Sequence, residues 1–175
     1  MKITRIGPNA VFHRYLTPKW AFLPTSGAGA AIDGGRFNRP GVEALYLSEA
    51  PQTALEEYRQ GASITPPATL AAYKITLSEV ADLSQGFDPL LWDAAWSQWD
   101  CAWRKIARID KKVPPSWKLA DKVISSGLRG LLFPSLRHAG GTNLVIFSAN
   151  LIPDDDVHVH DPDNRLPRDQ LSWPH

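Results

Sequence analysis

Apolar residues recur at every second position in some stretches of this chain and at helical spacing in others, and the switch between the two periods outlines the elements. Residues 10–16 (AVFHRYL), 43–48 (EALYLS) and 69–78 (TLAAYKITLS) read as strands; in the third, Tyr73, Ile75 and Leu77 alternate with polar positions. Residues 130–135 (GLLFPS) and 143–149 (NLVIFSA) are nearly continuous apolar runs, which reads as buried strands, and the LRHAGGT turn separates them. A polar, proline-rich tail begins at Pro153, and its VHVHD stretch is an edge-strand candidate. Residues 50–61 are expected to be helical, with Pro51 near the first helical position and Gly61 as the stop. A second helix is expected from a Ser116 cap to about Ser126, closed by Gly127. Between Asp88 and Arg108, Trp92, Trp96, Trp99 and Trp103 step by four, three and four residues, which predicts a helix with one aromatic, core-facing side. Any exposed part of that stripe would mark a protein interface. Residues 17–35, rich in Pro, Gly and Ser, read as a long loop of the kind that often carries function.

Helices interrupt the strands without strict alternation, so the expected fold class is α+β rather than a doubly wound sheet. The 175 residues suit a single domain, and the expected division is a catalytic body over residues 1–152 with a polar tail, 153–175, packed on it or extending it. A formal net charge of +1 gives no electrostatic case for a nucleic-acid or membrane partner. Cys101 is the single cysteine, which excludes an internal disulfide framework and a thiolate zinc cluster within one chain. The start MKITRIGPNAVFHRY has no apolar run of signal-peptide length, and no stretch approaches the roughly 20 apolar residues a membrane span needs. A cytoplasmic setting is the expectation.

Candidate chemistry concentrates between Gly34 and Glu57. Gly34 and Gly35 permit positive φ and close backbone approach, Arg36 can present a planar fork to phosphate oxygens, and Gly41 permits a further turn. Tyr46 on a strand and Glu57 on the following helix can reach one cleft mouth. Taken singly, each has an ordinary reading as core aromatic, solvated helix carboxylate or glycine turn. His158, His160 and Asp161 invite a metal reading, since alternate strand residues share a face, but no third ligand besides the acidic Asp154–Asp156 run is near in sequence. No metal is expected. His13, beside Arg14, reads as a satisfied strand histidine that could still reach a pocket.

The combination is more specific than its parts. GGRFNRPG, then ALYLS, then PQTALEE, in that order and spacing, resembles the RES domain, the toxin component of bacterial RES–Xre toxin–antitoxin pairs. FHRY places Arg14 at the family's N-terminal arginine, and FPSLRHAGGTNLVIF places Ser135 ahead of an Asn and an apolar strand, as in the family's serine segment. The resemblance spans roughly residues 11–150; the tryptophan-rich segment near 87–112 has no counterpart in it. Glu57 rather than Glu56 matches the family glutamate, which follows Ala-Leu-x.

That resemblance implies a fold related to ADP-ribosyltransferases, with mixed sheets and flanking helices, and NAD⁺ as substrate. Arg14, Tyr15, Gly35, Arg36 and Tyr46 would bind it, and Glu57, Arg36, Tyr46 and Ser135 would serve the reaction. Arg14 and Arg36 would hold the pyrophosphate, Tyr46 would stack on nicotinamide or ribose, and Ser135 would orient Glu57 or the ribose. The acceptor of ADP-ribose stays open among water, phosphate and a protein side chain. A cognate Xre-type antitoxin would be the partner, a segment of it blocking the cleft. A nucleotide-binding module without turnover and an RNA-acting toxin are the competing readings, the latter disfavoured by the neutral charge balance.

Overall fold

In the computed structural model, which describes residues 1–171, one mixed sheet organises the chain. Its elements in order are β1 (Ile3–Leu16), α1 (Ala28–Asp33), β2 (Leu45–Ser48), α2 (Pro51–Arg59), β3 (Thr69–Asp82), α3 (Pro115–Ser125), β4 (Gly130–Pro134), β5 (Thr142–Ile146) and β6 (Asp156–Val159). The sheet runs β1-β2-β5-β4-β3-β6, and β1 also pairs with β3, which closes the sheet on itself. Among the described residues, only the β3–β4 pairing is parallel. This is the α+β class expected from the pattern. Strands β1 and β3 start or run further than their apolar patterns suggested, because they pair with each other over most of their length.

Strand periodicity divides the core in two. Leu45 and Leu47 of β2, Tyr73, Ile75 and Leu77 of β3, and Leu144 and Ile146 of β5 fill the inside of the closed sheet with Phe12 and Leu16 of β1. The alternate residues, Leu131 and Phe133 of β4 and Val145 of β5, face outward under α3 and the tryptophan-rich segment. The candidate cleft opens on this second face.

Several local expectations are corrected. The segment 88–108 is not a continuous helix; it holds a 3₁₀ turn (Ala94–Gln98) and a π turn (Lys105–Ile109). Asp88 and Asp93 each accept a hydrogen bond from the backbone N–H two residues on, and these side-chain turns compete with helix formation. The four tryptophans are nevertheless all buried, so the stripe presents no aromatic interface. Trp92 and Trp96 pack with ring centroids 4.4 Å apart.

Ser116 is not a cap. Pro114 takes the N-cap position and Pro115 the first helical one, where its missing N–H costs nothing, and Ser116 is buried one residue inside α3. Gly127 does close α3, with φ 74° and its N–H donating to Ile124 O. Helix α2 stops at Arg59 because Gln60, not Gly61, first turns left-handed (φ 53°). The 17–35 loop contains a 3₁₀ turn (Pro18–Trp20) and α1. In the tail, β6 pairs antiparallel with β3 and leaves His158 and His160 exposed; His158 Nδ1 lies 2.8 Å from Asp156 Oδ2. Residues 172–175 of the expected tail lie outside the described residues. Among the described residues, no helix is long and apolar enough to cross a membrane.

Candidate active site

A cleft of about 300 Å³ opens on the outer face of the sheet, at the low end of the range usual for small-molecule sites. Strand register builds its floor. His13 of β1 pairs with Ser48 of β2, Ser48 with Asn143 of β5, and Asn143 with Phe133 of β4. These four residues thus form one row across four strands, in which only β4 and β5 are close together in sequence. Helix α2 lies over the row and brings Glu57 to it.

Glu57 is held from one side. Its Oε1 accepts a hydrogen bond from Ser135 Oγ (2.8 Å) and one from Asn143 Nδ2 (2.7 Å). Behind each donor stands another. Ser135 Oγ accepts from the backbone N–H groups of Arg137 (3.1 Å) and His138 (3.0 Å), which directs its own proton to Glu57. Ser48 Oγ donates to Asn143 Oδ1 (2.7 Å), which fixes the amide so that Nδ2 faces the carboxylate. Among the described residues, Glu57 Oε2 has no hydrogen-bond partner, leaving it available to a ligand. Glu56 is engaged elsewhere: its carboxylate accepts from Gln52 Nε2 at 3.0 Å and lies 3.5 Å from Arg59.

Gly35, Arg36 and Tyr46 form the opposite wall. Gly34 carries the positive φ (75°) of the turn. Gly35 does not; it is small because a Cβ there would sit 2.5 Å from both Tyr46 Oη and Asn38 Oδ1. Tyr46 Oη accepts from Phe37 N–H and donates to Asn38 Oδ1, both at 2.9 Å. The hydroxyl is thereby committed to the turn, and only the ring is offered to the cleft. Burial raises the Tyr46 pKa, outweighing its hydrogen bond with Phe37 and the charge of Arg36, so the phenol stays protonated. Arg36 Nη1 donates to Trp99 O (3.3 Å) and Cys101 O (2.9 Å), tying the turn to the tryptophan-rich segment. Burial lowers the Arg36 pKa, and the nearby Cys101, Glu57 and Asp100 oppose that effect.

Arg14 and Tyr15 also reach the cleft, from opposite faces of β1. Arg14 shares the register of buried Phe12 and Leu16, and its Nη1 donates to Ser26 O (3.3 Å) and, at the limit of hydrogen bonding, Pro24 O (3.5 Å). Tyr73 Oη donates to the same Pro24 carbonyl (2.7 Å). Desolvation lowers the Arg14 pKa, with Tyr73 acting the other way. Tyr15 packs on Tyr58 of α2 with centroids 5.9 Å apart.

The structure therefore brings Arg14, Tyr15, Gly35, Arg36, Tyr46 and Glu57 to one cleft, with Ser135 bonded to Glu57 behind it. It adds residues that sequence reasoning missed. Asn143 and Ser48 orient the carboxylate; the polar head of the NLVIF run was the available signal for Asn143. His13 lines the cleft and is also satisfied, its Nδ1 being 3.1 Å from Glu49 O. Tyr58, Arg104 and Arg137 complete the wall. Four guanidinium groups then face one carboxylate among the lining residues, so the cleft attracts anions.

Comparison with known proteins follows the same lines. No curated protein matches the chain. Among solved structures, a chain of the M. tuberculosis MbcT–MbcA toxin–antitoxin complex is similar, with a TM-score of 0.57 at 22% identity, covering 90% of this chain and 84% of that one; the likeness is one of fold. The RES domain family matches residues 11–169, a span that runs from β1 through β6 and takes in every wall of the cleft. The chain belongs to the RES domain family.

Proposed function

We propose that this chain is the toxin of a toxin–antitoxin pair and that its cleft cleaves the nicotinamide–ribose bond of NAD⁺, passing ADP-ribose to an acceptor. One observation carries the reading: a carboxylate pinned through Oε1 by Ser135 and Asn143, with Oε2 turned to an arginine-lined cleft. Breaking the bond leaves its electron pair on the nicotinamide nitrogen, which departs neutral, and positive charge develops on the ribose as in glycoside cleavage. No acid is needed for the leaving group. A fixed negative charge beside the developing oxocarbenium lowers the barrier, and Glu57 is preorganised for that role. The two donors on Oε1 hold the carboxylate oriented while Oε2 meets the ribose. The Tyr46 ring offers a flat apolar surface, and arginines meet the phosphates.

The acceptor attacks C1′ and loses a proton; water, phosphate or a protein side chain would give three different products. The family resemblance and the toxin–antitoxin setting of the similar structure support a cognate antitoxin, of Xre type, that covers the cleft in the cytoplasm. Glu57→Gln tests the assignment. Nicotinamide release should fall at least 100-fold, in line with removing a preorganised charge from a transition state, with the melting temperature unchanged. A folded variant that releases nicotinamide at the wild-type rate refutes it. Mass spectrometry of the products identifies the acceptor.

A further inference from the structure

We infer that Arg104 and Arg137 form a clamp at the cleft rim for the diphosphate of the dinucleotide, an inference that rests on the NAD⁺ reading above. The arginines suggested by sequence for that task, Arg14 and Arg36, each direct Nη1 to backbone carbonyls of the protein, Pro24 and Ser26 for Arg14 and Trp99 and Cys101 for Arg36. Arg104 and Arg137 line the same cleft, are exposed, and lie within salt-bridge distance of no carboxylate among the described residues. Two cations near each other, with no ion pair of their own and Glu57 opposing Arg104 only beyond ion-pair distance, can accept an anion. Burial and the like charges of Arg108 and Arg137 lower the Arg104 pKa, with Glu57 acting the other way, and a bound anion would relieve the repulsion.

The Arg104 guanidinium is also aimed. It lies 4.9 Å from the centroid of the buried Trp103 ring, and Arg108 sits 5.9 Å from the same ring. The cation–π contact restrains the guanidinium over the ring, and no hydrogen bond to the protein engages its N–H groups among the described residues, which leaves them for phosphoryl oxygens. Arg137 is placed by the turn that serves catalysis, its own N–H donating to Ser135 Oγ. With the ribose–nicotinamide bond at Glu57, the anionic part of the ligand runs toward this rim. The clamp thus links the Ser135 turn to the tryptophan-rich segment.

Calorimetric titration of the full chain in a Glu57→Gln background, where turnover is suppressed, tests the clamp. Arg104→Gln and Arg137→Gln should each weaken ADP-ribose binding about tenfold, as expected for losing one charge-assisted hydrogen-bonding group, and leave nicotinamide riboside, which has no phosphate, unaffected. Both side chains are exposed, so melting temperatures should not change. An unchanged ADP-ribose affinity in the double variant overturns the clamp. So does loss of inorganic phosphate binding with ADP-ribose binding intact, which would assign the two arginines to a free anion. If the Glu57→Gln protein with both arginines present binds neither NAD⁺ nor ADP-ribose, the dinucleotide reading itself falls.

Discussion

Replacing Gly35 by alanine separates two reasons for a glycine in the cleft wall. An alanine Cβ at Gly35 would stand 2.5 Å from Tyr46 Oη, 2.5 Å from Asn38 Oδ1 and 2.8 Å from Tyr46 Cζ, well inside contact distance. Neither neighbour can yield easily. Asn38 is buried and its Nδ2 donates to Ala30 O and Val42 O at 2.8 Å each, while Tyr46 packs against the outer core. Relief requires moving the Tyr46 ring, which breaks its bonds with Phe37 N–H and Asn38. Two such bonds at about 1 kcal/mol each, with overpacking of about 1–3 kcal/mol, predict a loss of about 3–5 kcal/mol. Two other glycines calibrate the effect. Gly29, in α1 with nothing within 4 Å of an added Cβ, should gain about 0.5 kcal/mol on change to alanine. Gly41, equally open but at φ 89°, should lose about 1–2 kcal/mol through backbone strain alone. Urea unfolding at constant m reads all three, and Gly35→Ala should melt about 6–20 °C lower. A Gly35→Ala protein within 0.5 kcal/mol of the parent, or one less affected than Gly41→Ala, would refute the steric argument.

Asn143→Ala removes a charge-assisted donor from Glu57 and should lower the rate of nicotinamide release about 10–100-fold, with a smaller change in KM; Ser48→Ala, one bond further away, should cost only a few-fold. A folded Asn143→Ala enzyme with parental kinetics would remove Asn143 from the site. Asp155 anchors the tail, accepting from Ser78 N and Oγ, Ile152 N and Arg129 Nε. Burial pushes its pKa up, but these bonds more than offset that and leave it below the ordinary carboxylate range. Its contribution is therefore present at neutral pH and lost as pH falls below about 4 through the lowered value. Asp155→Asn should destabilise the protein by about 2–3 kcal/mol at pH 7, with the difference from the parent shrinking toward pH 3; a difference constant with pH would count against the assignment.

Legibility in the sequence followed the range of the interactions involved. Strands β2, β4 and β5 and helix α2 were readable because alternation, continuous apolar runs and a proline at the first helical turn are local signals. The tryptophan-rich segment was misread because four tryptophans at helical spacing say which residues are buried but not by what backbone. Asp88 and Asp93 interrupt the helix by bonding their own neighbours. Ser116 was misread because Pro114 and Pro115 settle the helix start before any side-chain cap can form. Gly35 was recognised as special for a reason that belongs to Gly34; its own is a close approach by Tyr46, visible only once β2 is folded against the turn.

By itself, the sequence determined the period of each strand, and hence that Tyr46 and Ser48 leave the sheet on the face opposite Leu45 and Leu47. It also determined, through the order of its motifs, the family, and it singled out Glu57 over Glu56 as the candidate carboxylate. Only the tertiary structure decided that Ser48 stands beside Asn143, that Asn143 and Ser135 bond the same oxygen of Glu57, and that Arg104 reaches the rim where Arg137 waits. The physical reason is strand register. A side chain's face is set within its own strand, but its neighbours are set by backbone hydrogen bonds to strands far away in the chain, and those pairings exist only after the sheet has closed.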